Sequence, residues 1–73
     1  MKVRDILLRL SADTLVTVEN LKKCEIIIDR DTVDRILAFD DVDKEIHNIV
    51  RNGNVTHIEV GKVYGDIILS ILF

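Results

Sequence analysis

The chain ends on "GDIILSILF", Gly65 to Phe73. From Ile67 to Phe73 every side chain is large and apolar except Ser70. The run is too short by half to span a bilayer as a helix, which needs roughly 20 apolar residues. Read as a strand, it places Ile67, Leu69 and Ile71 on one face of a sheet and Ile68, Ser70 and Leu72 on the other. One face can pack on helices. The other face, or the strand's own edge, has no obvious cover in 73 residues. A homodimer or larger assembly is the simplest cover, with self-association through Ile68, Leu72 and Phe73. In the alternative arrangement the last strand is central and the helices shield it.

Upstream of this strand, Val55, His57-Ile58 and Val60 read as extended, and Gly61 and Gly65 bracket "KVY" as a turn or bulge. His57, in this alternating segment, faces solvent or a hydrogen-bond partner. At the other end, Val3, Ile6, Leu7 and Leu10 follow the i, i+3, i+4, i+7 spacing of a helix with one buried face. "SADT" (Ser11–Thr14) breaks that pattern with turn-forming residues. "LVTVE" (Leu15–Glu19) and "CEIIID" (Cys24–Asp29) read as two strands joined through "NLKK".

The middle carries Val33, Ile36 and Leu37, then Val42, Ile46, Ile49 and Val50. The first set fits a short helix capped by Asp31 or Thr32. The second fits a helix over about 41–52, capped by Asp40 or Asp41, with acids in its first turns and Arg51 in its last. Gly53 would end it with a positive φ. The rival reading is a strand over Glu45–Val50 with Asn52-Gly53 as a hairpin turn. The expected fold is therefore a single α+β domain over 1–73, in the order α-β-β-α(α)-β-β, with an antiparallel sheet packed on helices.

Composition narrows the function. The chain is 48% hydrophobic and carries a formal charge of −3. That balance opposes direct nucleic-acid binding, which needs a basic surface. Phe39, Tyr64 and Phe73 are the only aromatic residues, too few for a base-stacking platform. Cys24 is the only cysteine, so no intrachain disulfide can form. A lone thiol fits a reducing compartment, and Met1-Lys2-Val3-Arg4-Asp5 is not a secretory signal. A cytoplasmic location, without membrane, follows as the expectation. Cys24, His47 and His57 are too few ligands for a structural zinc site.

The acids are unevenly placed. Asp29, Asp31, Asp34, Asp40, Asp41, Asp43 and Glu45 face only Arg30, Arg35 and Lys44 over the same stretch. Val33 sits where an EF-hand loop needs its third oxygen ligand, so these acids read as caps and solvated first-turn residues rather than a cation loop. No nucleophile–base pattern accompanies Ser11 or Ser70, and Gly61-x-x-x-Gly65 lacks the ending of a phosphate-binding loop. Cys24 reads as a small residue packed in a strand. No cofactor and no catalytic residue is expected.

The sequence "MKVRDILLRLSADTLVTVENLKKCEIII" resembles the start of a group of small phage and prophage proteins from Gram-positive bacteria. The shared pattern is a Leu-rich helix (Ile6-Leu7-Leu8), an Asp13-Thr14 pair and a V-x-V strand (Val16-Thr17-Val18). "VTHIEV", followed by a glycine and an apolar strand, is similar too. The likeness covers about half the chain; residues 30–52 are longer and more acidic than the pattern. It implies an accessory protein that binds a host protein, such as an inhibitor of host defence or machinery, and assigns no catalytic residue. On that reading Asp40, Asp41, Asp43 and Glu45 form the recognition surface for a basic, nucleic-acid-binding groove of the host protein. The alternative is an oligomer that encloses a nucleotide-like ligand, for which Arg4, Arg9, Arg30, Arg35 and Arg51 would have to cluster.

Overall fold

A computed structural model describes residues 1–73. Its elements are α1 (Val3–Leu7), β1 (Leu15–Asn20), β2 (Glu25–Thr32), α2 (Val33–Asp40), α3 (Lys44–Asn52), β3 (His57–Val63) and β4 (Asp66–Leu72). The α+β class and the element order agree with the sequence reading, and the middle of the chain is helical rather than a strand over 45–50.

The sheet is mixed, not antiparallel throughout. Its order is β2-β1-β4-β3. β1/β2 and β3/β4 are antiparallel hairpins, but the central pair β1/β4 is parallel, from Leu15↔Ile68 to Glu19↔Leu72. The cause is the length of the link between the hairpins. β2 and β3 run the same way at opposite edges, and two parallel strands need a crossover long enough to return along the sheet. α2 and α3 supply it.

The β1–β2 turn closes on Asn20, whose Oδ1 accepts hydrogen bonds from the amides of Lys22 (3.0 Å) and Lys23 (3.3 Å). The β3–β4 turn has positive φ at both central residues, Tyr64 (50°) and Gly65 (88°), as a two-residue type I′ hairpin requires. Gly65 is therefore a turn residue. Gly61, in contrast, lies inside β3 in unbroken register opposite Ile68, with no bulge.

The core joins all three helices to three strands. Val3 and Leu7 of α1, Val33 and Ile36 of α2, and Ile49 and Val50 of α3 meet Val16, Val18, Ile28 and Ile71 of the sheet. Leu69 and Phe73 pack against this cluster, whereas β3 contributes nothing to it.

These positions answer the question raised by the last strand. β4 is central, so its edges are both spent on β1 and β3. Ile68 and Leu72, expected at a subunit interface, are only 6% and 8% exposed. Phe73 is half-buried and its backbone is paired: its amide donates to Glu19 O (3.0 Å) and its carbonyl accepts from Leu21 N (2.9 Å). Apart from the exposed Ile67, the last strand is thus covered within one chain, so Ile68, Leu72 and Phe73 need no second subunit to bury them.

Three local expectations change. Val42 is exposed and lies outside α3, so the buried stripe of that helix is Ile46, Ile49 and Val50. Cys24 is not packed in a strand; it sits exposed in the β1–β2 turn with φ of 50°. Gly53 has an ordinary φ of −64°, and its lack of a side chain serves close approach instead. A Cβ there would lie 2.5 Å from the Ile49 carbonyl oxygen and 3.3 Å from Val3. This tight point also ties the N-terminus to the helix end, because Val3 N donates to Gly53 O (3.0 Å). Gly53→Ala is therefore expected to destabilise the fold by about 2 kcal/mol through overpacking. Denaturant titration checks this; an unchanged midpoint would show that the α3 end is free to move.

Candidate functional site

The acidic stretch resolves into groups with different tasks. Asp43 is the N-cap of α3, its Oδ1 accepting from the amides of Glu45 (3.0 Å) and Ile46 (3.2 Å). The cap is thus neither Asp40 nor Asp41. Asp41 instead follows the last residue of α2 and lies exposed, as does Glu45 in the first turn of α3. Asp31 pairs with Arg35 at 3.4 Å, one helical turn on, and also accepts from the amide of Thr32.

Asp40 leaves the expected recognition surface altogether. It is 4% exposed, at the end of α2. Arg51, near the end of α3, donates to its Oδ2 through Nε (3.1 Å) and Nη2 (3.0 Å). That hydrogen bond, and then the charge of Asp40, raise the Arg51 pKa above its ordinary value. The arginine is half-open to water, with 41% of its side chain exposed, so screening limits the strength of the pair. Oδ1 of Asp40 has no hydrogen bond of good geometry, and His47 Nδ1 lies 3.2 Å away. The same nitrogen is 3.1 Å from the Asp40 carbonyl oxygen. Both neighbours are acceptors, so Nδ1 carries the ring proton. Asp40 thereby fastens α2 to α3 across a shallow cavity of about 260 Å³, lined by Asp40, Asp41, Val42, Asp43, Lys44 and His47. Of these acids, Asp40 is committed to Arg51 and one oxygen of Asp43 to the helix backbone.

Three of the five arginines are likewise held in separate local pairs. Arg30 lies 3.5 Å from Asp29, Arg35 is with Asp31, and Arg51 with Asp40. His57 is exposed and 3.3 Å from Glu59 on the same side of β3.

A second surface was not singled out from the sequence. On the helix-bearing face, Val18, Ile71 and Ile58 form one row across the sheet, and Val16, Leu69 and Val60 another. The rows are apolar to the edge, but the helices stop short of β3. Val60 is 71% exposed and Ile67 67%, while Tyr64 at the hairpin tip is wholly exposed. Ile58 and Val63 are also open. The hidden signal was the alternation of Ile58 and Val60, which reads as burial; only the position of the helices shows that it is not.

No family model, no curated protein and no solved structure matches this chain. No helix is long and apolar enough to cross a membrane.

Two variants separate the acids by task. Asp43→Ala is expected to cost about 1 kcal/mol as a lost helix cap. Arg51→Met, which leaves the Asp40 carboxylate buried without its partner, is expected to cost about 2 kcal/mol. Urea unfolding of each against the parent measures both; equal stability of all three proteins would remove these contacts from the account of the fold.

Proposed function

We infer that this protein is a binding module that works by contact with another protein. The observation that supports the reading is the tip of the β3–β4 hairpin, where Tyr64 is wholly exposed and Ile67 largely so. Large apolar side chains left open near one turn are candidates for a contact site. A rigid tyrosine at the centre of such a patch is the residue type that anchors interfaces at low entropic cost.

The acidic side of the molecule has a complementary role. Asp34, Asp41 and Glu45 are exposed, and the chain as a whole is negative. Charges at that distance add little to affinity once a complex has formed, but they speed encounter with a basic surface. The partner is accordingly a protein with a basic patch, such as a nucleic-acid-binding groove. The resemblance to small phage proteins suits an accessory role of this type, with inhibition of a host protein in the cytoplasm as the outcome. The nucleotide-binding alternative draws no support from the arginines, three of which are matched to carboxylates of their own chain.

The test is recovery of a stoichiometric partner from host cells on the tagged chain, followed by measurement with purified components. Tyr64→Ser with Ile67→Ser is expected to weaken binding about 30-fold or more, since a central anchor carries 2 kcal/mol or more. The fold should hold, because both side chains are exposed. Asp41→Asn with Glu45→Gln is expected to slow association at low salt and leave it unchanged at high salt, where exposed charges are screened. Asp43 is kept, as its loss would weaken α3. Full binding by the Tyr64/Ile67 variant would overturn the hairpin tip as the contact.

A further inference from the structure

We propose that two copies of this chain pair through their β3 edges, joining two four-stranded sheets into one of eight strands. The proposal rests on the contrast between the two edges. β2 is guarded. Its pairing with β1 is interrupted twice, at Val16/Val18 and Val18/Glu19, and Arg30 within it has a φ of 48°. Glu25, Asp29, Arg30 and Asp31 add charge along it. Bulges and charges are the usual means by which proteins stop an edge from templating another strand.

β3 has no bulge and carries fewer charges, Glu59 and Lys62. It pairs with β4 residue for residue from His57↔Leu72 to Val63↔Asp66 with no shift. All seven of its residues are exposed, and it contains no proline. Its backbone groups that point away from β4 have no partner strand, and its exposed Ile58 and Val60 lie on the helix-bearing face, which is apolar across the other strands.

The occupant that fits this edge is the edge itself. An antiparallel pair of identical strands is related by a two-fold axis perpendicular to the sheet, which places residues of the same face opposite each other. Val60 is the midpoint of His57–Val63, so centring the axis there uses the whole strand. Val60 then faces Val60 of the second copy, Ile58 faces Lys62, Glu59 faces Gly61 and His57 faces Val63. The two Ile58 and two Val60 side chains form one apolar group, with the lysine stems covering its ends. No like charges stand directly opposite, although each chain is negative overall, because Glu59 meets a glycine. A strand of seven residues buries less than the roughly 800 Å² per partner of a standard interface, so the dimer should form in the micromolar range. Pairing leaves the hairpin tip at Tyr64 and Ile67 at the margins, so self-association and partner binding use separate side chains.

Sedimentation equilibrium over a micromolar dilution series tests the proposal. The expected result is a reversible rise in mass from 8.3 kDa to twice that value. Val60→Lys sets two lysines against each other on the axis and is expected to raise the dissociation constant at least tenfold with unchanged unfolding. Tyr64→Ser with Ile67→Ser should dimerise like the parent. Amide exchange should show alternate β3 amides, those directed away from β4, protected in the dimer and open in Val60→Lys. A parent that stays monomeric throughout the series, or a dimer whose β3 amides exchange freely, would overturn the proposal. A monomer that still holds a partner through Tyr64 would do so while leaving the protein-binding reading intact.

Discussion

The parallel pairing of β1 with β4 is the constraint on which the rest of the fold depends. It sets the most apolar segment of the chain between β1 and β3, so that Ile71 packs into the core on the helix-bearing face while Ile68 and Leu72, on the other face, are buried as well. It also joins residues more than fifty positions apart, Leu15 with Ile68 for example. In a chain that buries only about 60% of its unfolded surface, a central strand paired along both edges is an economical place for so apolar a segment, of which only Ile67 stays open. The core and the unpaired edges both follow from that placement.

The helices serve this arrangement in two ways. They carry the chain from one edge of the sheet to the other, and they cover β1, β2 and half of β4. Asp40 and Arg51 hold the pair of helices together in the crossover, with His47 completing the contact. A buried carboxylate is costly to desolvate, and here the cost is offset by two hydrogen bonds to one oxygen from a guanidinium that remains half in water. Three short helices cannot span a four-stranded sheet. Their reach ends at β4, which is why β3 is clad on neither face and the apolar rows of the sheet emerge at Val60 and Ile67. The exposed surface is therefore a consequence of the small size of the helical layer.

Local order was written in neighbouring residues. The spacing of Val3, Ile6, Leu7 and Leu10 determined α1, that of Ile46, Ile49 and Val50 determined α3, and the alternation around Val16 and Val18 determined β1, because each pattern is read over one or two turns or a few pleats. The β1–β2 turn around Asn20 was legible for the same reason. Residues with several equivalent candidates were not. Asp40, Asp41 and Asp43 can each cap a helix, and only the path of the backbone selects Asp43. Cys24 and Gly53 were misread because a strand propensity or a helix-end preference says nothing about which atoms come close in space.

What the tertiary structure alone decided is everything set by contacts across the chain. Alternation gives a strand two faces but no direction and no neighbours, so the parallel β1/β4 pair and the central place of β4 could not be read from it. The burial of Asp40 depends on Arg51, eleven residues away on a different helix, and no spacing rule links them. Ile58 and Ile71 have the same sequence signature of an inward apolar residue, yet one is open and the other wholly buried. The difference lies in whether a helix reaches them, and that is fixed by the lengths of α1, α2 and α3 against the width of the sheet they cover.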